Sequence, residues 1–92
     1  MKTIWRYPIE FVNDPSAKEV ELKIDMPSRS DVLYLRDTCG FLKFWAMVET
    51  ENPLVSRTFM AVRTGVENPR NSLYKGTFVK WEKIWHLFEV LD

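Results

Sequence analysis

Val20-Glu21-Leu22-Lys23-Ile24-Asp25-Met26 decides the fold class. Val20, Leu22, Ile24 and Met26 alternate with Glu21, Lys23 and Asp25. That period of two describes a strand with one buried face and one wet face. Pro27 and Ser28 stop it. Upstream, residues 3–9 are rich in β-branched and aromatic side chains. Thr3, Trp5, Tyr7 and Ile9 fall on one face; Lys2, Ile4 and Arg6 fall on the other. Pro8 has no N–H to donate, so this strand ends there or lies at a sheet edge. Between the two runs, Asn13-Asp14-Pro15-Ser16 suits either one helical turn over 15–19 or a plain loop.

Downstream, residues 32–36 and 41–49 flank Asp37-Thr38-Cys39-Gly40. Asp at the start and Gly at the end suit a type I turn followed by a left-handed glycine, so 32–49 reads as a β-hairpin. Its second arm is apolar on both faces around Phe44-Trp45-Ala46-Met47-Val48. It is a central strand covered on both sides, or it supplies a subunit interface. Residues 55–64 form the next strand, after the break at Glu51-Asn52-Pro53. A loop over 66–73 follows. The tail reads as a hairpin, because Thr, Val, Ile, Trp and Phe favour strands, with a helix as the alternative. As a hairpin it pairs 74–80 with 84–91 and turns at Trp81-Glu82-Lys83. As a helix over 77–91 it lines up Phe78, Trp81, Ile84, Trp85, Phe88 and Leu91 on one stripe. The expected fold is all-β: a single small antiparallel meander of about six or seven strands, as a curled sheet or a sandwich.

The 92 residues allow one domain, 1–92. Aromatics make up 14% of them, which excludes intrinsic disorder as the main state. Thirteen Lys and Arg balance thirteen Asp and Glu. No global field therefore steers the chain to nucleic acid or to an anionic membrane. Zero net charge permits self-association, and the apolar run 44–48 makes a homo-oligomer the expected assembly. The single cysteine, Cys39, excludes an intrachain disulfide and fits a reducing cytoplasm. Met1-Lys2-Thr3-Ile4-Trp5-Arg6 lacks an apolar h-region, so no signal peptide is expected. The run 44–48 is too short to span a bilayer.

Candidate chemistry is sparse. His86 shares a strand face with Ile84, Phe88 and Val90. It reads as structural, partly or fully buried, with its ring nitrogens on a backbone or carboxylate partner. No Ser, Cys, Asp or Glu stands at a recognisable triad spacing. One His and one Cys do not make a zinc site, so neither metal nor cofactor is expected. Cys39 beside Asp37 reads as a turn residue with an incidental thiol. Gly65 and Gly76 are isolated and form no phosphate loop. The chain is not expected to be an enzyme.

Arg57, Arg63 and Arg70 are the candidate ligand or partner residues, and Arg57 shares a strand face with Arg63. Arginine forks grip phosphates, and aromatic rings stack on bases. The alternative is a solvated strand with surface ion pairs. Trp45 and Trp85 join the partner-binding set because Trp is enriched at interface hot spots. A core role for them is the alternative.

Lys2-Thr3-Ile4-Trp5-Arg6-Tyr7-Pro8-Ile9 resembles the start of a family of short bacteriophage proteins of unknown function, which typically open with Thr-Ile-x-Lys/Arg-Tyr-Pro. Met26-Pro27 resembles that family's Met/Leu-Pro stop, and Trp45-Ala46-Met47-Val48 its Trp-Ala-Leu-Val core strand. Arg57-Thr58-Phe59 and Thr64-Gly65 resemble its following strand and glycine stop. Tyr74-Lys75-Gly76-Thr77-Phe78 and Trp85-His86-Leu87-Phe88-Glu89 resemble its Tyr-Ile-Gly-Thr-Phe and Phe-His-Val-Phe-Glu endings. The family's Gly-rich turn between the last two segments supports the terminal hairpin. Trp81-Glu82-Lys83 stands in that place here, and an insert lengthens the chain near 13–18.

The resemblance implies phage origin and synthesis in the host bacterial cytoplasm, and it brings no established reaction. The leading expectation is a non-catalytic phage accessory protein that binds and inhibits a host protein, one of the anti-phage defence machinery. The second is a sponge that sequesters a nucleotide immune signal, with Arg57, Arg63 and an aromatic ring as ligands. The third is a minor structural protein of the virion.

Overall fold

The computed structural model describes residues 1–11, 13–38 and 40–91. Cys39, read as a turn residue, lies outside the described residues. Seven antiparallel strands form two sheets. They are β1 (Lys2–Ile9), β2 (Glu19–Pro27), β3 (Asp31–Thr38), β4 (Phe41–Glu49), β5 (Leu54–Arg63), β6 (Ser72–Lys80) and β7 (Lys83–Val90). One sheet has three strands in the order β1-β4-β3, the other four in the order β2-β5-β7-β6. The all-β expectation holds, in its sandwich form. Two hairpins, β3–β4 and β6–β7, are local. The chain changes sheet between β1 and β2, β2 and β3, and β4 and β5.

The alternation in β2 works as read: Val20, Leu22 and Met26 enter the core while Glu21, Lys23 and Asp25 stay exposed. From the other sheet come Ile9, Leu35, Leu42, Phe44, Ala46 and Val48. The layers meet where the Phe44 and Phe59 rings lie 5.6 Å apart. Pro8 pairs with Lys43 on edge strand β1, where its missing N–H leaves the ladder intact. The 13–18 stretch makes a single turn rather than a helix. Asp14 accepts from the Ser16 backbone through its side chain and from Ala17 through its carbonyl. Gly40 takes the left-handed conformation expected of it, at φ +82°.

The tail is the hairpin. Its two-residue turn, Trp81-Glu82, has φ of +54° and +60°, the geometry of a type I′ turn. Trp81 is held there by packing: its ring lies 5.6 Å from Phe11 and 6.2 Å from Trp85, with the Lys80 ammonium 5.4 Å away.

One flank of the sandwich is closed. There β3 lies against β6, and Gly76 allows the approach, because a Cβ at that position would meet the Leu35 side chain at 3.3 Å. Lys80 adds a bond to the Gly40 carbonyl and an ion pair with Asp37 at 3.6 Å. On the opposite flank β1 and β2 are both sheet edges, and an open cleft of about 900 Å³ separates the end of β1 from β2.

Tyr7 sits on the inner face of β1 with its ring 5.5 Å from Phe44. Its hydroxyl is enclosed and finds no partner among the described residues. Burial pushes its pKa up, against the charge of Arg57. An unpaired buried hydroxyl costs about 1–3 kcal/mol. Tyr7→Phe is therefore expected to match or exceed the parent in urea unfolding. A loss above about 1 kcal/mol would mean that the hydroxyl is bonded.

Candidate binding face

β4 is central, as its composition suggests, but only one side of it is covered. Leu42, Phe44, Ala46 and Val48 point into the core; Lys43, Trp45 and Met47 point out and are half-buried. Strand register sets their neighbours. Ile4 and Asp31 flank Met47, Arg6 and Tyr34 flank Trp45, and Pro8 and Arg36 flank Lys43. A bulge between Val32 and Tyr34 adds Leu33, also exposed. Trp45 and Tyr34 have ring centroids 5.6 Å apart at 44°, and Tyr34 is 55% exposed. The result is an apolar centre of Trp45, Tyr34, Ile4 and Met47 beside a basic row.

Among the described residues, no ion pair takes up Arg6, Arg36 or Lys43. At the other end of the face, Glu49 and Glu51 both contact the Met1 ammonium. Hydrogen bonding with Glu49, then with that ammonium, holds the Glu51 carboxyl down to about 2. The local acidic charge is thereby partly neutralised, and the basic row around Trp45 dominates the face.

The expected site residues do not converge. Arg57 points inward. Its Nε and Nη2 donate to the two Glu89 carboxylate oxygens at 2.6 Å each, and Nη1 donates to the Ser30 carbonyl at 2.6 Å. Its fork is already engaged inside the fold, which corrects the reading of Arg57 as a free ligand-binding group. Arg63 shares its strand face but lies six residues along, about 20 Å at 3.3 Å per residue. One small nucleotide cannot take both. Arg70 is exposed on the loop between β5 and β6, over the other sheet. Trp85 is 0% exposed and donates from Nε1 to the Lys80 carbonyl, so the partner role expected of it gives way to a core role. Of the five, only Trp45 stands on the candidate face.

His86 lies on the outer face of the four-stranded sheet. The core face of β7 is Trp85, Leu87 and Glu89, not the series that includes His86. Its Nε2 meets the Thr64 hydroxyl at 2.9 Å and its Nδ1 the Thr77 hydroxyl at 3.0 Å. The partners are hydroxyls rather than the backbone or carboxylate expected. In the neutral ring one nitrogen donates and the other accepts. No carboxylate among the described residues is bonded to the ring. Among the described residues no cluster of three or more His, Cys, Asp or Glu is placed to hold a metal, and no helix is long and apolar enough to cross a membrane.

Residues 1–92 match DUF7352, a domain of unknown function. The chain belongs to the DUF7352 family. No curated protein matches it, and no solved structure does. In this DUF7352 domain, Tyr34, Ile4, Met47, Arg6, Arg36 and Lys43 are the face residues that sequence reasoning passed over. A signal for one pair was present: counting back from the 37–40 turn sets Tyr34 opposite Trp45.

Proposed function

We propose that this protein is a non-catalytic phage accessory protein that acts in the host bacterial cytoplasm by binding and disabling a host protein of the anti-phage defence machinery. The observation that carries the binding role is the Trp45–Tyr34 pair on the uncovered side of central strand β4. Trp, Tyr, Met and Arg are the side chains enriched at protein interfaces, and this face combines all four. The sequence resemblance to phage proteins supports the origin. A nucleotide sponge built on Arg57 and Arg63 is disfavoured by the internal bonds of Arg57.

The test is capture from a bacterial lysate with the parent and with the Trp45→Ala/Tyr34→Ala double variant. The parent is expected to retain one host protein and the variant to lose it while staying folded. Truncating side chains at a solvent-facing site usually shifts stability by less than about 0.5 kcal/mol, with somewhat more for half-buried Trp45. Equal capture by both would overturn the assignment of the face. A second copy of this chain as the captured species, with the mass in solution doubling, would make the face a homo-oligomer interface instead.

A further inference from the structure

We propose that the partner docks as an extended strand added to the free edge of β1, with side chains that alternate between apolar and acidic. This rests on the protein-binding reading and names the segment that binds. Three strands face four, and the closed flank joins β3 to β6. The unfilled place in the smaller sheet is therefore beside β1, along the open flank.

Backbone parity agrees. The Thr50 N–H donates to the Met1 carbonyl, so in this register the odd residues of β1 address β4. The even residues Lys2, Ile4 and Arg6 turn their N–H and C=O groups outward. Pro8 belongs to that even series, where it leaves no donor stranded. Such an edge is a template for strand addition.

Side chains define the occupant. Trp5 belongs to the inward series of β1 yet is 41% exposed, because no strand covers it on this flank. Ile24 on β2 is only half-buried. Inward-facing residues of an added strand would cover this apolar surface. Its outward residues would stand beside Lys2 and Arg6, and opposite charges on neighbouring strands attract. The β2 edge is the poorer candidate: its sheet already has four strands, and Glu19, Glu21, Lys23 and Asp25 line it with mixed charge.

The probe is a capped synthetic peptide, Val-Asp-Val-Glu-Val-Asp-Val, against its counterpart with Lys in place of each acid, both added to the full chain. Amide exchange by NMR reads the edge. The acidic peptide is expected to slow exchange at Ile4 and Arg6 by about tenfold or more, and the basic peptide to bind roughly tenfold more weakly. Arg6→Pro removes one outward N–H, as Pro8 already does, and should abolish binding with the fold retained. Arg6→Glu leaves the backbone donors in place and should reverse the preference between the peptides, which keeps the test valid if Arg6→Pro fails to fold.

Unchanged exchange with either peptide, equal affinities, or protection at Glu21 and Lys23 instead would overturn the proposal. So would protection that rises with protein concentration alone, which would assign the edge to a second copy. Host capture that survives Arg6→Glu but fails in the Trp45/Tyr34 variant would refute strand addition and leave the proposed function standing. A parent that captures no host protein would sink the proposed function instead, whatever the peptides do.

Discussion

Arg57→Ala is expected to lower the unfolding free energy by about 3–5 kcal/mol. The Arg57 side chain is 14% exposed and that of Glu89 is 9%. Two parallel bonds join them, and a third ties Arg57 to the chain at Ser30, just before β3. Removing the guanidinium leaves a carboxylate away from water, with the Lys75 ammonium at 3.7 Å as its one remaining ion pair among the described residues. Most of the loss is the desolvation of a carboxylate that has lost its two-pronged partner and keeps only the longer contact to Lys75. Replacing both partners, Arg57→Met with Glu89→Leu, should therefore recover most of it. Thermal or urea unfolding of the two singles and the double forms the cycle. A single-variant loss below about 1 kcal/mol, the range of surface pairs, would mean that the pair is solvated.

Trp85→Ala is expected to destabilise by a similar amount, about 3–5 kcal/mol. Trp85 is fully enclosed. Phe11 meets its ring edge-on at 5.0 Å, Phe78 stacks on it at 6.3 Å, and Trp81 closes a third side at 6.2 Å. Truncation would open a cavity and remove the bond from the indole to the Lys80 carbonyl. A domain of this size has a total stability of about 5–10 kcal/mol, so the variant should populate unfolded chains at equilibrium. Trp85→Phe keeps a ring and should lose roughly half as much. A Trp85→Ala protein that melts with the parent but loses its partner would return Trp85 to the binding surface.

These two residues mark where sequence reading ends. Strand existence was legible, because alternation in β2 and the hairpin around Gly40 are local signals. Face assignment was harder. Arg57 shares parity with Phe59 and Ala61, and Glu89 shares it with Trp85 and Leu87. Two opposite charges on two core faces were thus visible, but their pairing depends on β7 lying beside β5, which no local pattern states. From sequence His86 reads as inward, because Phe88 and Val90 in its series look like core. The loop between β5 and β6 packs over that side and buries Val62 there. The hairpin of the tail has a helical rival in the sequence because a type I′ turn normally announces itself with Asn-Gly, and Trp81-Glu82 is held by packing instead. Trp45 is half-buried on the outward side of β4, and its companions on that face follow only from cross-strand register.

A ribosome delivers β1 long before β4, its partner among the described residues. Residues 2–9 pair with 42–49, and β2 waits for β5. At about 5–20 residues per second, the first strand stands alone for roughly 2–8 s. The first hairpin the nascent chain can close is β3–β4, since local contacts form soonest. β1 must then dock backwards onto it. Of the strands in the larger sheet β7 is made after the others, and it slots between β5 and β6; among the described residues β6 has no other neighbour in that sheet. A chain cut before residue 83 lacks the middle of its larger sheet rather than an edge, and β6 is left without the strand it pairs with.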